Sequence, residues 1–278
     1  MDSWILMYLK RIGVEFDNPT PEYLMRLQEA HMTNIPFENT TIMAKSNRND
    51  KSLSLEFESI FDKLVTNNLG GFCYELNGAF GELLRALGFK VTNLAALMIS
   101  SSGYHPDSGI IDHMVLAVDF DDKRYFVDVG GGNTVRTPII LNEVVEDISG
   151  KYRITSLESP IDSDGLGTKY HLALQKYKAS WESVYIFSEK EFTLDDYKES
   201  CYWMETTTKS TFTKRLVVSI ATPRGRKTIS GNNFQITTGK KVEIKQITKK
   251  DLIGILQNEF GIRGINPAFG RNENWEEI

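Results

Sequence analysis

Cys73, His113 and Asp128 are the residues of this chain whose types and settings suit covalent chemistry. Cys73 stands three residues after Gly70, directly behind Gly71-Phe72, at the start of a segment with helical periodicity. A helix N-terminus carries partial positive charge on its unpaired N–H groups, which favours a thiolate over a free thiol of pKa about 8.5. The two glycines leave the backbone open to close approach by a substrate. His113 and Asp128 flank a predicted hairpin of strands 114–120 and 124–129 that turns at Asp121-Asp122. A two-residue loop pairs Phe120 with Lys123, so His113 falls opposite Gly130 and Asp128 is its diagonal neighbour on the same face. A four-residue loop keeps that parity and a three-residue loop turns Asp128 to the other face, so one hairpin can set a carboxylate beside an imidazole. In such a set His113 takes the thiol proton and Asp128 fixes the ring tautomer. The N–H groups of Gly130-Gly131-Gly132 are then candidates to hold an oxyanion.

Other candidates are weaker. Asp112 is a rival orienter for His113, but adjacent strand residues point to opposite faces. Cys201 has no preceding glycine pair and sits in Cys201-Tyr202-Trp203, so it reads as structural. His31, near Pro36, reads as a structural hydrogen-bonder, and no carboxylate-bearing hairpin surrounds His105 or His171.

The elements that must position these groups are legible in outline. The first 90 residues read as helical. Thr20-Pro21-Glu22 is a helix start, with Thr20 as cap and Pro21 at the first helical position. Leu53, Phe57, Ile60, Phe61, Leu64 and Val65 mark one face of a second helix stopped by Gly70-Gly71, and a third helix runs from Cys73 to Leu87 and ends at Gly88. After Gly88 the period becomes strand-like: 89–99, 114–120 and 124–129, then 151–156, 168–176, 181–187, 212–221, 225–230 and 233–237. A closing helix covers 252–260. Helices first and strands afterwards is α+β order.

Composition bounds the function. The 278 residues are 41% hydrophobic and 25% charged, a globular balance too apolar for a disordered chain. No run approaches the ~20 apolar residues that span a bilayer, and Lys10 and Arg11 follow rather than precede the short apolar N-terminal stretch, against a signal peptide. Two cysteines make neither a disulfide framework nor a four-thiolate zinc site, and four histidines share no ligand spacing, so a cytoplasmic, metal-free protein is expected. The net charge of −5 conceals +9 over residues 201–250 against −11 over 1–200 and −3 over 251–278. A basic segment on an acidic protein suits a compact phosphorylated ligand better than nucleic acid, which the rest of the chain would repel; a solvated basic face is the plainer alternative.

Several segments resemble the arylamine N-acetyltransferase family. Gly70-Gly71-Phe72-Cys73-Tyr74-Glu75-Leu76-Asn77 is similar to its cysteine motif, and Ile35-Pro36-Phe37-Glu38-Asn39 to its proline-phenylalanine-glutamate-asparagine element. Asp112-His113-Met114-Val115-Leu116 and Tyr125-Phe126-Val127-Asp128-Val129-Gly130 resemble its histidine and aspartate segments. Ser210-Thr211-Phe212-Thr213 and Leu216-Val217-Val218 resemble a later strand region. The match runs in order from about Tyr8 to about Thr238.

The resemblance implies an α+β fold with a cysteine-proteinase-like core: a helical domain over 1–90 carrying the nucleophile, a β-barrel-like domain over 91–200 carrying His113 and Asp128, and an α/β domain over 201–278. It implies acetyl-CoA as donor and a small aromatic amine or hydrazine as acceptor, with ping-pong transfer through a Cys73 thioester. Partners are then coenzyme A and the acceptor, with no nucleic acid or membrane, on a monomer or homodimer.

Phe37 is expected to line the acceptor pocket, with Phe72, Gly130 and Gly131 beside it. Lys209, Lys214, Arg224 and Arg226 are candidates for the CoA phosphates. Two positions depart from the family pattern. Leu69 stands where arginine is usual, removing a group that supports the cysteine loop. Gly131 stands where an aromatic often lines the pocket, which widens it. A papain-like or transglutaminase-like cysteine hydrolase or acyltransferase would use the same three residues, and a non-enzymatic binder on the same scaffold is the other alternative.

Overall fold

The structure is a computed structural model that describes residues 2–44, 52–99, 110–157, 172–265 and 267. Its first part holds α1 (Ser3–Ile12), α2 (Pro21–Asn34), α3 (Thr40–Ala44), α4 (Phe57–Phe61) and α5 (Cys73–Ala86). Thr20 caps α2 as expected, its hydroxyl accepting the Tyr23 N–H at 3.1 Å. The helix expected across 53–65 begins only at Phe57 and changes from α to π in its second half. α4 ends at Phe61, and the chain then makes a π turn over Asp62–Thr66, closed by Asn67 N–H on the Asp62 carbonyl at 2.8 Å. α5 begins at Cys73, and the left-handed Gly88 (φ 92°) turns the chain away two residues after the helix ends.

Eight antiparallel strands follow: β2 (Lys90–Met98), β3 (His113–Phe120), β4 (Lys123–Val127), β5 (Ile139–Ile140), β6 (Val144–Asp147), β7 (Gly150–Ser156), β8 (Leu172–Tyr177) and β9 (Trp181–Phe192). They lie in the order β5-β4-β3-β2-β9-β8-β7-β6. A bridge between Leu141 and Ile154 links the β5 end back to β7, so the sheet curls into a nearly closed barrel. Strand alternation decides what faces where. Leu94, Val115, Ala117 and Phe126 fill the barrel, while Met114, Leu116 and Val118 face the helices and join a core with Leu76, Phe80 and Leu83 of α5. The strand expected over 168–176 is β8 from Leu172; residues 168–171 lie outside those described, as do 266 and 268–278.

The remaining chain forms α6 (Lys198–Thr206), α7 (Thr211–Lys214), the hairpin strands β10 (Val217–Thr222), β11 (Gly225–Ser230), β12 (Asn233–Thr238) and β13 (Lys241–Gln246), and α8 (Lys249–Phe260). The strand expected over 212–221 therefore begins only at Val217. Residues 211–214 are a helical turn capped by the Ser210 hydroxyl, which accepts the Phe212 N–H at 3.1 Å. A short strand from the N-terminal part, β1 (Phe37–Glu38), completes this second sheet in the order β1-β10-β11-β12-β13. One face packs Val218, Ile220, Ile229 and Phe234 against Leu252, Leu256 and Phe260 of α8. The register aligns Phe37, Ser219, Thr228 and Gln235 across the other face. No helix among the described residues is long and apolar enough to cross a membrane.

Asn39 locks the N-terminal part to this sheet. Its side-chain amide donates to the carbonyls of Phe212 and Arg215, both at 2.9 Å, and its side-chain oxygen accepts the Val217 N–H at 2.7 Å. Asn39 is 1% exposed, so truncation strands three part-buried backbone groups. Asn39→Ala should lower unfolding stability by roughly 2–4 kcal/mol in urea titrations; a change within about 0.5 kcal/mol would show that the lock is dispensable.

Candidate functional site

Cys73 is the first residue of α5, and its Sγ lies 3.8 Å from the backbone carbonyl of Asp112, just before β3. The β3–β4 hairpin has the register that a two-residue turn dictates: Phe120 pairs with Lys123 and Leu116 with Val127, with Asp121 in the left-handed region (φ 51°). Continued past β4, that register brings Asp128 to His113, with Nε2 2.9 Å from Asp128 Oδ2. Cys73, His113 and Asp128 are each 2–3% exposed, and this set is built from a helix terminus and one hairpin.

Asp128 is held from several sides. Its Oδ1 accepts Asn77 Nδ2–H at 3.0 Å and the Gly130 N–H at 2.9 Å, while the Asn77 side-chain oxygen accepts the Val129 N–H at 2.9 Å. Burial alone would raise its pKa. The charge of His113, with the hydrogen bonds from His113, Asn77 and Gly130, outweighs this and holds the carboxyl below its ordinary 3.8. Tyr185 packs on the imidazole with ring centres 5.0 Å apart; burial, then the Asp128 carboxylate, pushes its phenol well up.

Asn77, one helical turn after Cys73, was not singled out from the sequence as a site residue. Its i, i+4 spacing from Cys73 is the signal that it shares the cysteine's side of the helix. The Gly130 N–H, expected to serve an oxyanion, is committed to Asp128 instead. Gly130 has a different use: a Cβ there would lie 2.7 Å from Cys73 Cα, so only glycine lets the loop close over the cysteine.

The thiol does not follow the helix-terminus expectation. Burial pushes the Cys73 pKa well up, and the Asp112 and Asp128 carboxylates push it further, against the Tyr74 N–H that lowers it. An upward push on the thiol makes a positioned base more important for forming a thiolate there.

A cavity of about 420 Å³ opens on these groups. Phe37, Gly130 and Gly131 line it as expected, together with Met98, Asp112 and the Ser219–Thr228–Gln235 row of the second sheet. Phe212 also lines it, 5.8 Å from the Phe37 ring, a residue that the sequence had placed in a strand. Phe72, expected beside the pocket, is fully buried behind it, edge-on to Tyr74 at 5.2 Å and to Phe212 at 6.0 Å; as the residue before the helix, it turns its ring into the core.

A family model described as N-acetyltransferase matches residues 20–266. An arylamine N-acetyltransferase of Mycolicibacterium smegmatis is 31% identical over 263 residues, covering 92% of this chain and 90% of that protein. The chain belongs to the arylamine N-acetyltransferase family. The solved arylamine N-acetyltransferase of Salmonella typhimurium superposes with a TM-score of 0.82 at 26% identity, covering 100% of this chain and 95% of that one. A Bacillus cereus arylamine N-acetyltransferase, 23% identical with a TM-score of 0.83 over 95% of this chain and 100% of that one, has the same fold and is described as having a Cys-His-Glu triad. The carboxylate beside His113 in this chain is an aspartate.

Within this family member, the charge that Leu69 withholds from the cysteine loop comes from elsewhere. Lys63, in the π turn, reaches both Glu75 oxygens at 2.8 Å and lies 3.7 Å from Glu38. Glu75 in turn accepts the Phe72 N–H at 3.1 Å, closing the N-terminus of the cysteine helix. Glu38 accepts from the Thr40 hydroxyl at 2.5 Å and from its N–H. Burial would lower the Lys63 pKa, but Glu75 and then Glu38 outweigh it and hold it up. Leu69 packs instead against the apolar core of the second sheet.

The four basic candidates divide. Lys209, Lys214 and Arg224 are exposed and outside the cavity wall. Arg226 is 8% exposed, donating to the Gly132 carbonyl and to Ser219 Oγ, and burial followed by the neighbouring Arg136 brings its pKa down to about 10. It braces the glycine loop from behind rather than offering a surface cation.

Removing a buried charge leaves its partners unpaired, so Lys63→Met should cost roughly 3–5 kcal/mol in urea unfolding, and Lys63→Arg should restore at least half of that loss. Unfolding of Lys63→Met at the wild-type urea concentration would remove Lys63 from this role.

Proposed function

We propose that this chain transfers acetyl from acetyl-CoA to the amine nitrogen of an arylamine or arylhydrazine, through a thioester on Cys73. The observation that carries this reading is a buried cysteine–histidine–aspartate set beside a cavity lined in part by two aromatic rings, in a member of the arylamine N-acetyltransferase family.

With Nε2 hydrogen-bonded to Asp128, Nδ1 is the ring nitrogen left for the thiol proton. Proton transfer from Cys73 to His113 gives a thiolate and an imidazolium, and the low-pKa Asp128 carboxylate stabilises that positive charge. Burial pushes the Cys73 thiol up, so a positioned base is needed to take its proton. The thiolate attacks the acetyl carbonyl, and CoA departs as its thiol, taking the proton from His113. The acceptor amine then attacks the Cys73 thioester, His113 accepts the amine proton, and that proton returns to the departing sulfur. The first step exchanges one thioester for another and is near-balanced; the second ends in an amide and draws the sequence forward.

The Phe37 and Phe212 rings, with Gly130 and Gly131 opposite, form the wall for an aromatic acceptor. The exposed Lys209, Lys214 and Arg224 are the candidates for the CoA phosphates. The cysteine-proteinase-like description of the core and the division at residues 90 and 200 remain parts of this reading.

Steady-state acetylation of an aromatic hydrazine tests the assignments. Cys73→Ala should reduce kcat/KM by at least ~10³, and Asp128→Asn by roughly 10²–10⁴ through the wrong imidazole tautomer. Cys201→Ala should retain most of the activity, because Cys201 is a buried residue of α6. Equal losses in the two cysteine variants would overturn the choice of Cys73.

A further inference from the structure

The cavity holds a second carboxylate that the transfer chemistry does not use. Asp112 lines the wall together with Cys73, and among the described residues of that wall there is no lysine or arginine. Its Oδ1 accepts the Met98 N–H at 2.8 Å, which fixes the side chain against the strand that forms the cavity rim. Its own backbone N–H is a second donor; no further described residue donates to the carboxylate, and no described cation is recorded within ion-pair distance of it. Burial pushes the Asp112 carboxyl up, opposed by the Met98 N–H, the His113 ring and its own N–H, and the His113 ring is itself bonded to Asp128. The Asp112 backbone carbonyl is 3.8 Å from Cys73 Sγ, and among the charges acting on that thiol Asp112 outweighs Asp128. Asp112, bonded through its carboxylate to Met98, thus shares the cavity wall with the sulfur that an acceptor nitrogen must approach.

Backbone N–H groups replace only part of the hydration that a largely buried carboxylate without a cation loses, and a ligand bearing positive charge adds to the balance. A ligand bearing a carboxylate adds like-charge repulsion in a cavity of reduced dielectric. We infer that Asp112 is a specificity-determining residue that selects acceptors carrying a cationic arm beside the aromatic amine and rejects acceptors carrying a carboxylate. This rests on the acetyl-transfer reading above and narrows its acceptor class. Asn133, Ser219, Thr228 and Gln235 give the cavity its other polar groups, all uncharged.

Three anilines of one skeleton test it: 4-(aminomethyl)aniline, 4-methylaniline and 4-aminobenzoate. In a ping-pong reaction kcat/KM for the acceptor reports only the step after the acetyl-enzyme, so any effect of Asp112 on Cys73 acetylation cancels in their ratios. The wild type should favour the cationic over the anionic acceptor, and Asp112→Asn, which can still accept the Met98 N–H, should reduce that ratio by at least about tenfold.

A second measurement needs no variant. 4-Methylbenzylamine, protonated at neutral pH, should protect Cys73 from iodoacetamide at a concentration at least about tenfold below that required of 4-methylbenzoate. Formation of the acetyl-enzyme with an unchanged acceptor ratio, or equal protection by the two ligands, would overturn the role of Asp112 while leaving acetyl transfer intact. Failure of the wild type to form an acetyl-enzyme would overturn both.

Discussion

The Asp128 carboxylate is the interaction on which the rest of the site depends. Its two oxygens collect a ring nitrogen from β3, an amide from α5 and a backbone N–H from the glycine loop, and Asn77 also donates to the Met114 carbonyl at 2.6 Å. A buried carboxylate is costly unless such partners are present, and here the partners come from the pieces that must be held in register. The helix that carries the cysteine and the hairpin that carries the histidine are thereby joined at the point of chemistry. Gly130 allows the closest approach, because any side chain there would collide with Cys73 and Asn77.

A second charged cluster supports the same helix from its other side. Lys63, Glu75 and Glu38 lie under the cysteine loop and tie the N-terminus of α5 to β1, which is itself an edge of the second sheet. Phe37 of β1 and Phe212 of α7 stand side by side in the cavity wall, where Asn39 holds the α7–β10 connection in place. The aromatic wall is therefore assembled from segments far apart in the chain, and Arg226 braces the glycine loop from the same sheet. Two buried polar devices and one asparagine lock fix the cavity that an apolar core alone would leave loosely specified.

What was legible in the sequence follows from distance along the chain. The His113–Asp128 pair is set by a two-residue turn, so its register and diagonal contact could be read from alternation alone. The start of α5 at Cys73 was equally local. Lys63 was not legible, because only a π turn in the middle of an apolar periodicity rotates it under the loop, and its partner Glu75 lies beyond the glycines. Phe212 read as strand because short-range propensity cannot see the Ser210 cap or the Asn39 bonds that hold it in a helical turn. Arg226 read as a candidate for the CoA phosphates, but tertiary packing buries it on the Gly132 carbonyl and Ser219 Oγ, partners that nothing local in the sequence reveals. The helix terminus suggested an acidic thiol at Cys73; the opposing burial and the Asp112 charge are products of tertiary packing.

The most direct measurement is the intact-protein mass after brief mixing with acetyl-CoA alone, with no amine present. The account predicts a gain of one acetyl group, discharged on adding an aromatic hydrazine and absent from Cys73→Ala. An unchanged mass, with a Cys73 thiol that still reacts readily with iodoacetamide, would contradict it and leave an activated cysteine that serves another donor.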